Sequence, residues 1–381
     1  MIHRRQFLRL AAAGAGAMLV SPRIVLANVE SERRFVFIIQ RGAADGLDTV
    51  VPYDDPAYGK LRRELAIDPS SSLKLNGTFA LHPSLAGLSK LYSEKHALFV
   101  HAVASPYRER SHFDGQNVLE TGGSSPYQVK DGWLNRLVGL LPKSSAEAIA
   151  FAPTIPLALR GPAEVTSYAP SALPEAPDDL LMRVGHLYEA DAELHPLWSA
   201  AMDARGLADQ AQARRDPASV GRTAASFLGR ADGPRIAMIE TAGWDTHSAQ
   251  NNRLANQLKA LDTMVGALRD GLGDAWQQTT VLVATEFGRT VAANGTGGTD
   301  HGTASAAMVL GGAVKGGRIL TDWPGLDERA LYESRDLKPT LDLDALIATV
   351  AAESFRLDPG LAMGTLFPGR PYNKSLHGLI G

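Results

Sequence analysis

The sequence predicts an α/β protein: a doubly wound, mainly parallel sheet with helices on both faces and a helical insertion. Three observations predict it. First, several apolar runs lack polar alternation, such as FVFIIQ at 35–40, ALFVHAVA at 97–104 and TTVLVAT at 279–285. Such runs read as strands buried on both faces, the mark of a parallel sheet. Second, the segments between them carry leucines at three- and four-residue steps, the spacing of amphipathic helices. Third, the runs end in Gly-containing stretches rich in acids, His and Arg. Open α/β sheets place ligand groups at those strand ends.

Taken in order, Arg33–Gln40 is the first strand and delivers Gly42, Asp45 and Gly46. Tyr58–Ile67 reads as an irregular helical piece. Ser84–Ser93 reads as a helix with Leu85, Leu88 and Leu91 on one side, and His82 before it as a packed or capping residue. Ala97–Ala104 is the second strand. It leads into a basic loop with Arg108 and Arg110, then a helix starting at Ser111 and His112. A helix start presents free N–H groups and a positive dipole end. Ser111 can therefore cap the helix, with Asp114 as capping-box acid, or act chemically there.

Asp131–Leu141 reads as a helix, and Ala148–Ala158 as an edge strand because of Pro153 and Pro156. The stretch from about 163 to 230 reads as loop and then helices, an insertion or cap over the sheet. Pro234–Thr241 is a strand delivering Gly243-Trp-Asp245-Thr-His247. Ala249–Leu272 is the clearest amphipathic helix. Thr279–Thr285 is a strand ending in Glu286-Phe-Gly-Arg289, and a polar Gly-rich loop then reaches Asp300-His301-Gly302. Ala306–Gly312 and Arg318–Leu320 read as further strands and Leu343–Phe355 as the last helix. Trp244 reads as a core aromatic.

Composition bounds the function. With 38 Lys and Arg against 41 Asp and Glu, the formal charge is −3, which gives no footprint for nucleic acid. The absence of Cys excludes disulfides, thiolate metal sites and Cys nucleophiles. His3-Arg4-Arg5-Gln6-Phe7-Leu8, the short Ala/Gly-rich run after it and Val25-Leu26-Ala27 form a twin-arginine signal peptide over residues 1–27. That run is too short to span a bilayer comfortably. The expectation is a folded passenger of the Tat translocase, exported to the periplasm or secreted, with residues 28–381 as a single domain and no membrane span.

Asp45, Asp245, His247, Glu286, Asp300 and His301 all follow strands. Carboxylates mixed with imidazoles suit Zn²⁺, Mn²⁺ or Fe²⁺, and carboxylates alone suit Mg²⁺ or Ca²⁺. On extended backbone Asp245 and His247 point the same way, as a chelate requires. Such a site could polarise a phosphate or sulfate ester, with Ser111 as nucleophile and Arg289 forked onto the ester oxygens. Arg289 could instead pair with Glu286 across the turn.

The ordered motifs FVFIIQRGAADGLDTVVPY, RSHFDGQ, GWDTH, EFGRT and TDHG after a twin-arginine leader resemble an exported bacterial family, catalogued as domain of unknown function 1501. That family in turn resembles the alkaline-phosphatase and sulfatase superfamily. The resemblance implies an alkaline-phosphatase-like fold and a hydrolase of a small-molecule or polymer phosphate or sulfate ester. It implies a metal-binding Asp45, a nucleophilic Ser111, and Asp245, His247 and His301 as ligands. Phe287 stands where the superfamily carries a His, and Gly42-Ala43-Ala44-Asp45 where the family has Gly-Gly-Asn-Asp, which leaves one metal or none. The alternatives are a non-catalytic binding or assembly protein, and a metal-independent enzyme with His112, His247 or His301 as general base.

Overall fold

The computed structural model describes residues 32–142, 148–169, 178–199, 201–202, 216–372 and 376–381. The leader and parts of the expected insertion lie outside these. Ser31–Gly381 forms one compact unit.

Its centre is a nine-stranded sheet. In chain order the strands are β1 (Arg34–Gln40), β2 (Ala97–Ala104), β3 (Ala148–Phe151), β4 (Thr166–Ser167), β5 (Ile236–Thr241), β6 (Thr279–Thr285), β7 (Ser305–Leu310), β8 (Arg318–Leu320) and β9 (Leu341–Asp342). They lie side by side as β8-β2-β7-β6-β1-β5-β3-β4, with β9 also pairing β2. Every pairing is parallel except those of β7, which runs against both β6 and β2. The sheet is therefore mainly parallel, as the apolar runs predict.

The two faces separate by the period-two rule. Phe35, Phe37 and Ile39 of β1 join one apolar cluster, and Val36 and Ile38 join the other. Helices α3 (Trp133–Leu140), α7 (Leu343–Phe355) and α8 (Pro359–Leu366) supply the first cluster. Helices α1 (Ala86–Ser93), α5 (Pro217–Leu228) and α6 (Gln250–Leu272) supply the second. Helix α2 (His112–Thr121) lies beyond the end of β2, and α4 (Asp178–Tyr188) lies in the expected insertion.

Two expectations change. β3 is not an edge strand, because β4 pairs outside it; the prolines follow the strand instead of interrupting it. The stretch 163–230 is not wholly a cap. β4 belongs to the sheet, and α5 buries Ala224, Ala225, Phe227 and Leu228 in the layer beside α6. The alanines there make close helix packing possible, a role that composition alone does not separate from a solvent-facing helix.

The topology fixes where chemistry gathers. Gln40 of β1 is in register with Thr241 of β5 and Thr285 of β6. Gly42, Asp245 and Glu286 therefore leave the sheet at one edge. Because β7 is reversed, the residues before it, His301 included, arrive at that same edge. β2 runs opposite to β7 and delivers Ser111 and His112 there too.

Candidate metal centre

The turn after β6 and the segment before β7 pair as a short antiparallel hairpin. Gly288 N–H donates to Thr303 C=O at 2.9 Å, Gly302 N–H to Gly288 C=O at 2.8 Å, and Thr290 N–H to Asp300 C=O at 2.8 Å. The two glycines permit this approach. A Cβ on Gly288 would stand 1.9 Å from the Ala304 carbonyl oxygen, and one on Gly302 would stand 2.4 Å from the Arg289 backbone. This pairing holds His301 next to Arg289. On the neighbouring strand, Gly42 at φ +118° lets the first strand end press on Asp245, whose backbone N would be 2.7 Å from an added Cβ.

Four side chains then face one another. His247 Nε2 lies 3.0 Å from His301 Nε2 and 3.0 Å from Asp245 Oδ1. His301 Nε2 is 3.4 Å from Asp245 Oδ1, and His112 Nε2 is 3.4 Å from Asp245 Oδ2. His112, Asp245 and His301 each offer one ligand atom within 4.8 Å of the other two.

The outer nitrogens fix the tautomers. His301 Nδ1 is 2.9 Å from the Arg110 carbonyl oxygen, His112 Nδ1 is 2.9 Å from Glu286 Oε1, and His247 Nδ1 is 3.3 Å from Asp300 Oδ1. Each partner only accepts, so each Nδ1 carries the proton and each Nε2 presents its lone pair inward. The 3.0 Å gap between His247 and His301 would otherwise set two lone pairs against each other. A shared proton would engage two of the inner groups; one cation could engage His112, Asp245 and His301 together. Beyond the 3.4 Å approach of Asp245 Oδ2, the buried His112 Nε2 has no hydrogen-bond partner, which leaves its lone pair available to a cation. The separations also fit. Ligand atoms about 2.0–2.1 Å from an ion stand about 3.3 Å apart in a tetrahedron and about 2.9 Å apart on an octahedral edge. An outer acceptor on each ligating His is the usual second layer of a metal site.

Glu286 belongs to that outer layer. It is wholly buried, and Gly42 N–H (2.8 Å), His112 (2.9 Å) and Gln116 (3.0 Å) donate to Oε1, while Thr285 Oγ donates to Oε2 (3.0 Å). Burial would raise its pKa, but the bonds from His112, Gln116 and the backbone prevail and hold it below the ordinary value. The bond to Glu286 in turn raises the pKa of His112 against its partial burial. His301 is lowered, by burial first and by His112 second. Asp245 is lowered too: its partial burial acts the other way, and the Arg289 bond and charge outweigh it.

Asp45 does not join the cluster. It caps the one-turn helix Gly46–Thr49, accepting from Leu47 and Asp48 N–H, and both its oxygens are taken by Arg62, with Gln250 Nε2 2.7 Å from Oδ2. The fully buried Arg62 also pairs with Asp48 at 3.0 Å and so supplies the positive charge that Asp45 would otherwise take from a metal. Arg289 is not free to bind an anion. Its Nη1 donates to Asp245 Oδ1 at 2.7 Å, its Nε to Thr299 Oγ at 3.1 Å and its Nη2 to the Thr299 carbonyl. Its ion pair is with Asp245 and not with Glu286. Asp300 supports His247 and accepts from Asn294 at 3.1 Å.

Ser111 is the N-cap residue of α2, but its side chain makes no capping bond, so the capping box with Asp114 does not form. Ser111 sits between the Arg110 carbonyl that holds His301 and the ring of His112. Phe287 is buried and stacks on His112 at 5.0 Å between centroids, so the residue at the expected ligand position packs against a candidate ligand's ring instead. His82 is buried and accepts from Ser84 N–H, and burial lowers its pKa to about 4. Trp244 is a core residue bonded to Thr241.

The family model for the protein of unknown function DUF1501 matches residues 32–365. The chain belongs to the DUF1501 family. No curated protein matches its sequence. Among solved structures, this DUF1501 chain is similar to the C-terminal periplasmic domain of EptC from Escherichia coli in complex with Zn, at 10% identity and TM-score 0.38, covering 75% of this chain and 76% of that one. It is similar to Ps i-CgsB in complex with k-i-k-neocarrahexaose, at 12% identity and TM-score 0.43, covering 87% and 72%. It is also similar to the phosphonate monoester hydrolase of Agrobacterium radiobacter, at 12% identity and TM-score 0.32, covering 78% and 74%. The functional reading therefore rests on this chain's own side chains.

Several supporting residues carry no signal in the sequence. Arg62 lies in an irregular segment, and Gln250, Thr299, Gln116 and Asn294 resemble ordinary polar loop or helix residues. Only the place of Gln250 three residues beyond His247, at the start of α6, ties it to the motif.

Proposed function

We propose that the chain is a metal-dependent hydrolase of a phosphate or sulfate ester with one divalent ion held by His112, Asp245, His247 and His301. The observation that carries this reading is the set of three inward Nε2 atoms around Asp245, each with its Nδ1 held by an acceptor. The donor set of three imidazoles and one carboxylate suits Zn²⁺, Mn²⁺ or Fe²⁺ better than Mg²⁺ or Ca²⁺. A bound ion would polarise the ester and stabilise charge on its oxygens. The open side of the centre is the side of Asp245 and His247, whose side chains are 42% and 44% exposed.

Ser111 supplies the attacking oxygen in this reading, and the uncapped first turn of α2 would favour negative charge beside it. Arg289 and Glu286 orient Asp245 and His112 without touching the ester. The protein works outside the cytoplasm after export by the Tat translocase, in the periplasm or beyond, on a small-molecule or polymer ester. Among the described residues no helix is long and apolar enough to cross a membrane.

The test is a screen of phosphate monoesters, phosphate diesters and sulfate esters with metal-loaded protein, comparing wild type with Ser111→Ala. Turnover of one ester class should fall at least about 100-fold in Ser111→Ala with metal content unchanged. Equal turnover in the two proteins would remove Ser111 from the mechanism. A loaded protein that turns over no ester would favour the binding or assembly reading.

A further inference from the structure

We propose that the centre takes a singly charged tetrahedral ester, a phosphodiester or a sulfate monoester, in preference to a doubly charged phosphate monoester. The inference rests on the hydrolase reading above and deepens it to a substrate class. Its basis is the charge already built around the centre.

A divalent ion and Arg289 bring three positive charges. Asp245, Glu286 and Asp300 bring three negative ones, each in direct contact with a ligand ring or with Arg289. The neutral imidazoles add nothing. The loaded centre is thus balanced before any substrate arrives. The other guanidiniums touching its supporting residues are also paired. Arg110 meets Glu333 and Asp336, and Arg41, which bonds Gln116, meets Glu120 and Glu240. Among the described residues, no Lys is recorded in contact with the four inner side chains or their outer acceptors.

The positive field left for a substrate is the first turn of α2, equivalent to about half a charge and partly offset by Asp114 in that turn, together with Arg335, which acts on Asp300 but is paired with Asp336. That suits one negative charge. A second would face Asp245 and Asp300, the half-exposed carboxylates of the open side, at 42% and 54% exposure. Opposed charges of the same sign a few ångströms apart in a partly desolvated cleft change affinity by about tenfold or more. Arg289 would reverse this balance if it were free. It is instead fully buried behind Asp245.

The experiment uses two ligands that share a phenylphosphonyl group and differ in charge and one ethyl group, with the protein loaded with one equivalent of Zn²⁺. At pH 8.5 phenylphosphonate is a dianion and its monoethyl ester a monoanion. Calorimetry should show the monoester binding more tightly, by about threefold or more. In Asp300→Asn, with metal content checked, the dianion should gain about fivefold and the monoanion less. Turnover of methyl 4-nitrophenyl phosphate against 4-nitrophenyl sulfate then distinguishes the two monoanionic sources. Tighter dianion binding by wild type, or an equal gain for both ligands in Asp300→Asn, would overturn the inference while leaving the hydrolase reading standing. Failure of both ligands to bind and of all esters to turn over would overturn the hydrolase reading, and the inference with it.

Discussion

At Glu286 four donors converge on a buried carboxylate, and one of them is a ring that faces the centre. Three of the four meet at Oε1, the oxygen that faces the centre's ring, so Glu286 sets the tautomer and direction of His112. Glu286→Gln should therefore weaken metal binding about 10–100-fold with the fold retained, as measured by competition with a chelating dye. Proton competition gives the sign of the pH effect. The His112 pKa lies above the ordinary value because of Glu286, so protons displace an ion from it at a higher pH than from a free imidazole. Metal affinity should fall as pH drops through that raised value, and in Glu286→Gln the fall should move to lower pH. Asp45 is the opposite case. It has the position of a ligand at a strand end but is ion-paired with Arg62, and a carboxylate so engaged cannot also bind a metal without releasing a buried guanidinium.

Among the elements, the hairpin joining Gly288 and Gly302 places the centre, and α7 carries a separate electrostatic signature. Asp344 lies in the first turn of α7 and is fully buried. Burial first, and Asp342 second, push its pKa up to about 8, against the opposing charges of Arg370 and Arg108. The folded state therefore holds a proton that the unfolded chain releases near pH 4. The resulting stability is fully present below the unfolded pKa and is lost as pH rises from about 4 through about 8. Asp344→Asn removes that loss. Its advantage over wild type should grow across that window to on the order of 1–3 kcal/mol at pH 8, read from denaturant midpoints. A constant difference at all pH values would show that Asp344 is ionised in the fold.

For the whole molecule, the sheet was legible because strands buried on both faces leave unbroken apolar runs, as in Phe35–Gln40 and Thr279–Thr285. The convergence of Asp245, His247 and His301 was legible for the same reason: strand ends in a mainly parallel sheet share an edge. The roles of individual side chains were less so. Arg62, Glu286 and Arg289 owe theirs to contacts between residues 17, 174 and 44 positions apart, which local pattern does not encode. The expected edge strand failed, and part of the expected cap joined the sheet and its helical layer, because proline and alanine content reports local preference and not which neighbour covers a segment. His112 read as a possible base, and its packing between Glu286 and Asp245 makes it a candidate ligand.

The central claim is one divalent ion bound by three imidazoles and Asp245. Elemental analysis of protein purified without chelators, set beside His112→Ala, His301→Ala and Asp45→Asn, tests it most directly. The account predicts one equivalent of metal in wild type and in whatever Asp45→Asn remains folded, and strong loss in both His variants. A metal-free wild type that takes up none of Zn²⁺, Mn²⁺ or Fe²⁺, or loss in Asp45→Asn alone, would contradict it.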